Sequence, residues 1–192
     1  MSTSIPEIPI ETLEQAKNFF MYMECSLFHM GREYPQRYAE YKNLNIPKQT
    51  ENEWRRDKFY EISSKIMENP SSDSTWMLHN QMYDLFVSLR TKDELLKMLE
   101  VTKYIRDKVP ANDRVIIAET INGRARREDR SGLIYSAYDT GDFAMAKEFA
   151  ELSLTYSSVD DNNKWKFWDK SKQRNQMSSQ LCKEIMNELG LE

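Results

Sequence analysis

The sequence predicts an all-α fold: a compact array of antiparallel helical hairpins with seven or eight helices. Three observations carry that expectation. Only 5 Gly and 6 Pro punctuate 192 residues, too few for the turns of a β-rich chain. Apolar residues recur at helical spacing along most of the length, and no segment reads convincingly as a strand. Three pairs, Thr12–Gln15, Thr50–Glu53 and Thr91–Glu94, match the capping box, in which an N-cap hydroxyl and a side chain three residues on satisfy backbone donors at a helix start.

In chain order, Pro6 and Pro9 keep residues 1–11 extended. A first helix follows from Thr12, with Leu13, Ala16, Phe19, Phe20, Met23, Leu27 and Met30 on a wide apolar stripe and Gly31 at its end. Residues 35–43, rich in tyrosine, suit a short second helix. Pro47 opens the next, with Trp54, Phe59, Ile62 and Ile66 on its apolar side. Asn69-Pro70-Ser71-Ser72 breaks the chain, and Asp73 or Ser74 caps a helix running to Leu89.

The helix after Thr91 carries Leu95, Leu96, Leu99, Val101 and Ile105, and Pro110 ends it. Asn112 starts a helical stretch that Asn122-Gly123 interrupts, that Ser131-Gly132 weakens in the middle and that reaches Tyr138. A tight turn at 139–142 leads to a strong helix over 143–156, a polar loop over 157–163 and a last helix over 164–189. No long linker interrupts the chain, so residues 1–192 are expected to form one domain, large enough to bury a core without staples.

Composition excludes several classes. A net charge of −4 argues against a general nucleic-acid binder. Cys25 and Cys182 form no CxxC pair, so neither a disulfide framework nor a zinc ribbon is expected. Met1–Ile10 lacks the basic and apolar regions of a signal peptide, and no apolar run is long enough to span a membrane. A cytoplasmic protein is the expectation. No His-Glu-x-x-His, Glu-x-x-His, phosphate-binding glycine loop or Gly-x-Ser-x-Gly is present. That points away from an enzyme and from any cofactor.

Residues 133–154 carry a family resemblance. Leu133 in a first helix, the Gly141-Asp142-Phe143 turn, Ala146 in a second helix and Leu154 near its end resemble a tetratricopeptide (TPR) hairpin. Small residues at Ala137, Ala146 and Ala150 let two antiparallel helices approach closely. The segment departs from the family pattern at Ile134, Ala150 and Ser158, where that pattern has glycine, an aromatic and proline. No second copy follows at the family's spacing of about 34 residues, and an ordinary αα-hairpin fits the same residues. The resemblance implies a scaffold for a protein or peptide partner.

Two candidate sites stand out. Cys25 and His29 lie four apart on one helix face, and with His79 could hold Zn²⁺. The plainer alternative is a buried thiol beside a hydrogen-bonded histidine. Arg114, Arg124, Arg126, Arg127 and Arg130 form the densest basic stretch, suited to an acidic partner, a phosphate or a nucleic-acid backbone. Its alternative is a solvated helix face, since Glu119, Glu128 and Asp129 accompany it. Lys164 to Lys170 interleaves lysines with Trp165, Phe167 and Trp168, a pattern that either stacks bases or packs as core under lysine stems. The expected function is therefore a non-enzymatic adaptor or regulator. A small metal-dependent protein or an anion binder are the alternatives.

Overall fold

The computed structural model describes residues 48–123, 130–158 and 170–192. Among these the regular elements are all helical: α1 (Lys48–Glu68), α2 (Thr75–Leu89), α3 (Lys92–Tyr104), a 3₁₀ turn (Ala111–Asp113), α4 (Arg114–Asn122), α5 (Leu133–Asp139), α6 (Phe143–Tyr156) and α7 (Lys170–Leu189). The expected extended segment 1–11, the helices at 12–30 and 35–43 and the start of the last helix at 164–169 lie outside the described residues.

The chain falls into two compact units, Met1–Lys58 and Phe59–Glu192. Of the first, the opening turns of α1 are described. There Gln49 donates to Glu53 across one turn at 3.4 Å, and Arg55 Nη1 donates to Asn52 Oδ1 at 3.1 Å. Thr50 already lies inside the helix. The Thr50–Glu53 pair therefore does not mark the helix start, because α1 is under way by Lys48.

The second unit shows how its helices begin and end. Before α2, the Asn69-Pro70-Ser71-Ser72 break folds into successive turns, Ser72 N–H donating to Asn69 O and Thr75 N–H to Ser72 O. Ser72 Oγ accepts from Ser74 N–H at 3.2 Å in a local turn, and Ser74, at the N-cap position, makes no side-chain cap bond. Thr91 has the extended backbone of an N-cap, but its hydroxyl donates to the Glu94 carboxylate instead of accepting from a backbone N–H. Helix α3 stops at Tyr104, before Pro110, and the chain continues in turns over 105–108.

Helix α6 is the centre of the unit, packing against α3, α4, α5 and α7. Its buried residues, Met145, Ala146, Phe149, Ala150, Leu152, Ser153 and Tyr156, fall on one broad face, half of its fourteen residues. Residues 133–156 form a helical hairpin. Asp142 caps α6 by accepting from Met145 N–H at 3.0 Å, Gly141 turns the chain with φ 83, and Ala137, Ala146 and Ala150 are fully buried. The first arm is short, seven residues beginning at Leu133.

The reason lies at Gly132. A Cβ there would stand 2.6 Å from three backbone atoms of Ile121, Asn122 and Gly123. The chain before α5 thus lies directly against the end of α4, where Gly123 takes φ 94. Among the described residues α4 ends at the expected Asn122-Gly123 interruption, and Gly132 precedes α5 instead of weakening the middle of a helix.

Candidate functional site

Two polar clusters lie in the core of the second unit. In the first, Asn122 at the end of α4 joins α6 and α7. Its Nδ2 donates to Ser178 O and Ser178 Oγ, both at 3.0 Å, and its Oδ1 accepts from Ser153 Oγ at 2.7 Å. Next to it, Cys182 donates to Ala150 O at 3.3 Å, and burial pushes its thiol up to about 11. A thiol so raised is a packing group, poorly suited to attack or to metal binding at neutral pH.

In the second, His79 on α2 is fully buried. Its Nε2 lies 3.0 Å from Thr102 Oγ1, and that hydroxyl donates its only proton to Met98 O at 2.6 Å. The Nε2 must therefore carry the proton and donate. Nδ1 is left as a lone pair with no partner among the described residues. Burial pulls the imidazole down to about 4, and protonation would place a new N–H where no acceptor stands. Tyr156 closes the cluster by donating to Thr102 O at 2.7 Å.

Of the proposed zinc ligands, His79 is the one described, and its Nε2 is engaged with Thr102; Cys25 and His29 lie outside the described residues. Among the described residues no group of three or more His, Cys, Asp or Glu could hold a metal ion.

Of the basic stretch, Arg124, Arg126 and Arg127 lie outside the described residues, and Arg114 and Arg130 are apart. Arg114 donates to the backbone oxygens of Arg106 and Thr155 and lies over the Tyr156 ring at 5.0 Å, a clasp on the last turn of α6. Arg130 pairs with Asp139 at 2.9 Å, beside the turn that starts α6, and covers the Tyr135 ring at 4.7 Å. The length of α6 separates the two, roughly 20 Å at 1.5 Å per residue.

Two concave features stand out among the described residues of the second unit. One is an open groove of 540 Å³ along α3. Leu96 and Tyr104 stand 44% and 40% exposed on its wall, with Leu99 beneath and Glu100, Lys103 and Arg106 around them. These positions recur at three- and four-residue steps, so they form one helix face. The other is a smaller cleft of 180 Å³ where α2 ends and α3 begins, beside the end of α5. Phe86 and Leu95 form its floor, and Arg90, Arg130 and Asp139 bring the charges.

Comparison with known proteins gives no family model that matches the chain, no similar curated protein and no similar solved structure. The site must be judged on its own geometry.

Sequence reasoning placed Leu96 with the core of α3, and it missed Tyr104 and Arg90. Leu95 and Leu96 are adjacent and point about 100° apart around α3; Leu95 turns into the core and Leu96 does not. Arg90 sits at the left-handed position after α2, with φ 51, where glycine is the usual residue. An arginine at such a position leaves no pattern in the sequence.

Proposed function

We propose that this chain is a protein-binding adaptor of the cytoplasm, with a TPR-like helical scaffold, and that its docking surface is the groove on α3. The observation that carries the reading is the exposed pair Leu96 and Tyr104 on one face of a helix whose opposite face is core. The α5–α6 hairpin supports the scaffold reading, with its glycine turn and buried alanines at the crossing.

The occupant is an amphipathic helical segment of another protein, apolar along one side and acidic at its edge. Helix-in-groove recognition reads anchors at such spacing. Lys103 and Arg106 stand beside the groove, each half exposed and held only by an exposed carboxylate, Glu148 at 3.4 Å and Asp107 at 3.7 Å. Such weakly held cations can turn to the carboxylates of an acidic partner. The Lys103–Glu148 pair, 3.4 Å long and about half exposed on both sides, contributes little to the fold and can exchange partners.

The test is capture from lysate of the source cells by the native chain and by a Leu96→Glu/Tyr104→Glu variant. Both side chains are already in contact with solvent, so the variant is expected to keep the native circular dichroism and melting temperature. The expected result is a partner held by the native chain, lost by the variant and weakened by salt, whose protected peptide is apolar and acidic. Equal capture by both chains would contradict the proposal.

A further inference from the structure

Among the described residues, two that are not glycine hold a left-handed backbone: Arg90, with φ 51, and Arg130, with φ 45. A side chain at such a φ is strained, and strain of this kind collects at binding sites when the surroundings hold it in place. Both residues are arginines, and both line the 180 Å³ cleft. They reach it from different segments, one after α2 and one before α5.

The hydrogen bonds around the cleft leave one kind of donor facing it. Thr91 donates its proton to Glu94, Ser136 to Gly132 O at 2.9 Å, and Thr140 to Ala137 O at 2.7 Å. These hydroxyls thus turn their protons inward. Arg130 donates to Asp139 and lies over the Tyr135 ring, which fixes its guanidinium. Arg90 Nε donates to Val87 O at 3.2 Å, and its guanidinium meets no carboxylate among the described residues. Among the described lining residues two cations thus stand with one carboxylate, Asp139, over an apolar floor, while Glu94 behind Thr91 and Glu188 near Arg130 lie outside the lining.

We propose that this cleft is an oxyanion site, taking a phosphate or carboxylate group between Arg90 and Arg130, with Asp139 as the positioning residue that holds Arg130. A guanidinium fork presents paired N–H donors to such a group. The volume is well below the roughly 300 Å³ at which pockets for drug-sized molecules begin. The ligand is thus a single oxyanion group, free in solution or carried by a peptide, and not a nucleotide. The cleft shares no lining residue with the groove on α3, so this site stands or falls separately from the adaptor reading.

The experiment titrates the full chain with inorganic phosphate, against chloride at matched ionic strength, and reads the melting temperature and heat of binding. A parallel arm uses a short phosphoserine peptide and its unphosphorylated form. The native chain is expected to show saturable stabilisation by phosphate. Arg90→Gly relieves the left-handed backbone, so it should melt in chloride at or above the native temperature and lose the response at least tenfold. Arg90→Lys keeps the charge but not the fork, and should weaken binding several-fold. Equal affinity for phosphate and phosphopeptide would identify a free ion as the ligand, and tenfold tighter peptide binding a group carried on a chain. No response of the native chain to either probe, or the same response in Arg90→Gly, would overturn the proposal. A marked fall in the melting temperature of Arg90→Gly in chloride would also overturn it, because Arg90 would then be structural.

Discussion

The two buried polar clusters of the second unit differ in one atom. Around Asn122, the side-chain amide donates twice and its oxygen accepts once, so both ends are satisfied and three helices are tied together. Around His79, Nε2 is satisfied and Nδ1 has no partner among the described residues. A complete network inside a low-dielectric core is a clamp, whereas an incomplete one carries a standing cost and responds to acid. The same fold thus holds a pH-insensitive joint and a pH-sensitive one.

The largest effect is expected where the Asn122 joint meets the backbone of the next segment. Gly132→Ala places a Cβ against three backbone atoms, none of which can rotate away. A loss of about 3 kcal/mol or more is expected, since overpacking against rigid backbone displaces whole helices. Chemical denaturation measures it, and a loss under 1 kcal/mol would show that α4 and α5 are not in contact as described.

Asn122→Ala removes the hub and leaves the Ser153 hydroxyl and Ser178 groups to find new partners. About 2–4 kcal/mol should be lost, nearly equally at pH 7.5 and pH 5.5, because no group in that set titrates there. A strongly pH-dependent loss would remove the distinction between the clusters.

For His79 the sign follows from the direction of its shift. The unfolded chain takes up a proton near the ordinary 6.5, and the folded chain only near 4. Stability from this group is whole above pH 6.5, declines as pH falls through that window and levels below about 4, for a total of about 3 kcal/mol. His79→Gln can still donate to Thr102 and does not titrate. Its stability should fall less steeply than the native chain's between pH 6.5 and 4.5; parallel slopes would contradict the description.

The smallest effect belongs to the surface. Arg174 Nη2 donates to Glu119 Oε2 at 2.6 Å, but Arg174 is half exposed. Arg174→Ala should cost under about 1 kcal/mol, and less at high salt.

The helical class and most of the hairpin were legible because local patterns determine them. Apolar spacing, the proline and glycine breaks and the alanines at 137, 146 and 150 each act within a few residues. Gly132 was legible as a weak point but not as a contact, because the backbone it faces is about ten residues upstream and arrives only with tertiary packing. The same holds for the partners of Asn122, in α6 and α7, and of His79, in α3. Leu96 and Tyr104 look like core residues until the rotation of α3 is known, and the left-handed turn at Arg90 carries no signal of its own. The two proposed sites were the least legible part because they depend on which face of a helix the fold leaves uncovered.

The claim that the α3 groove is a docking surface is tested most directly by a photo-reactive amino acid placed at position 96, with an equivalent probe at exposed Gln180 on α7 as control. One protein adduct from position 96 is predicted, absent from position 180, joined through an apolar and acidic helical segment. Equal adducts from both positions, a cross-link only to a second copy of the chain, or none at all would contradict it.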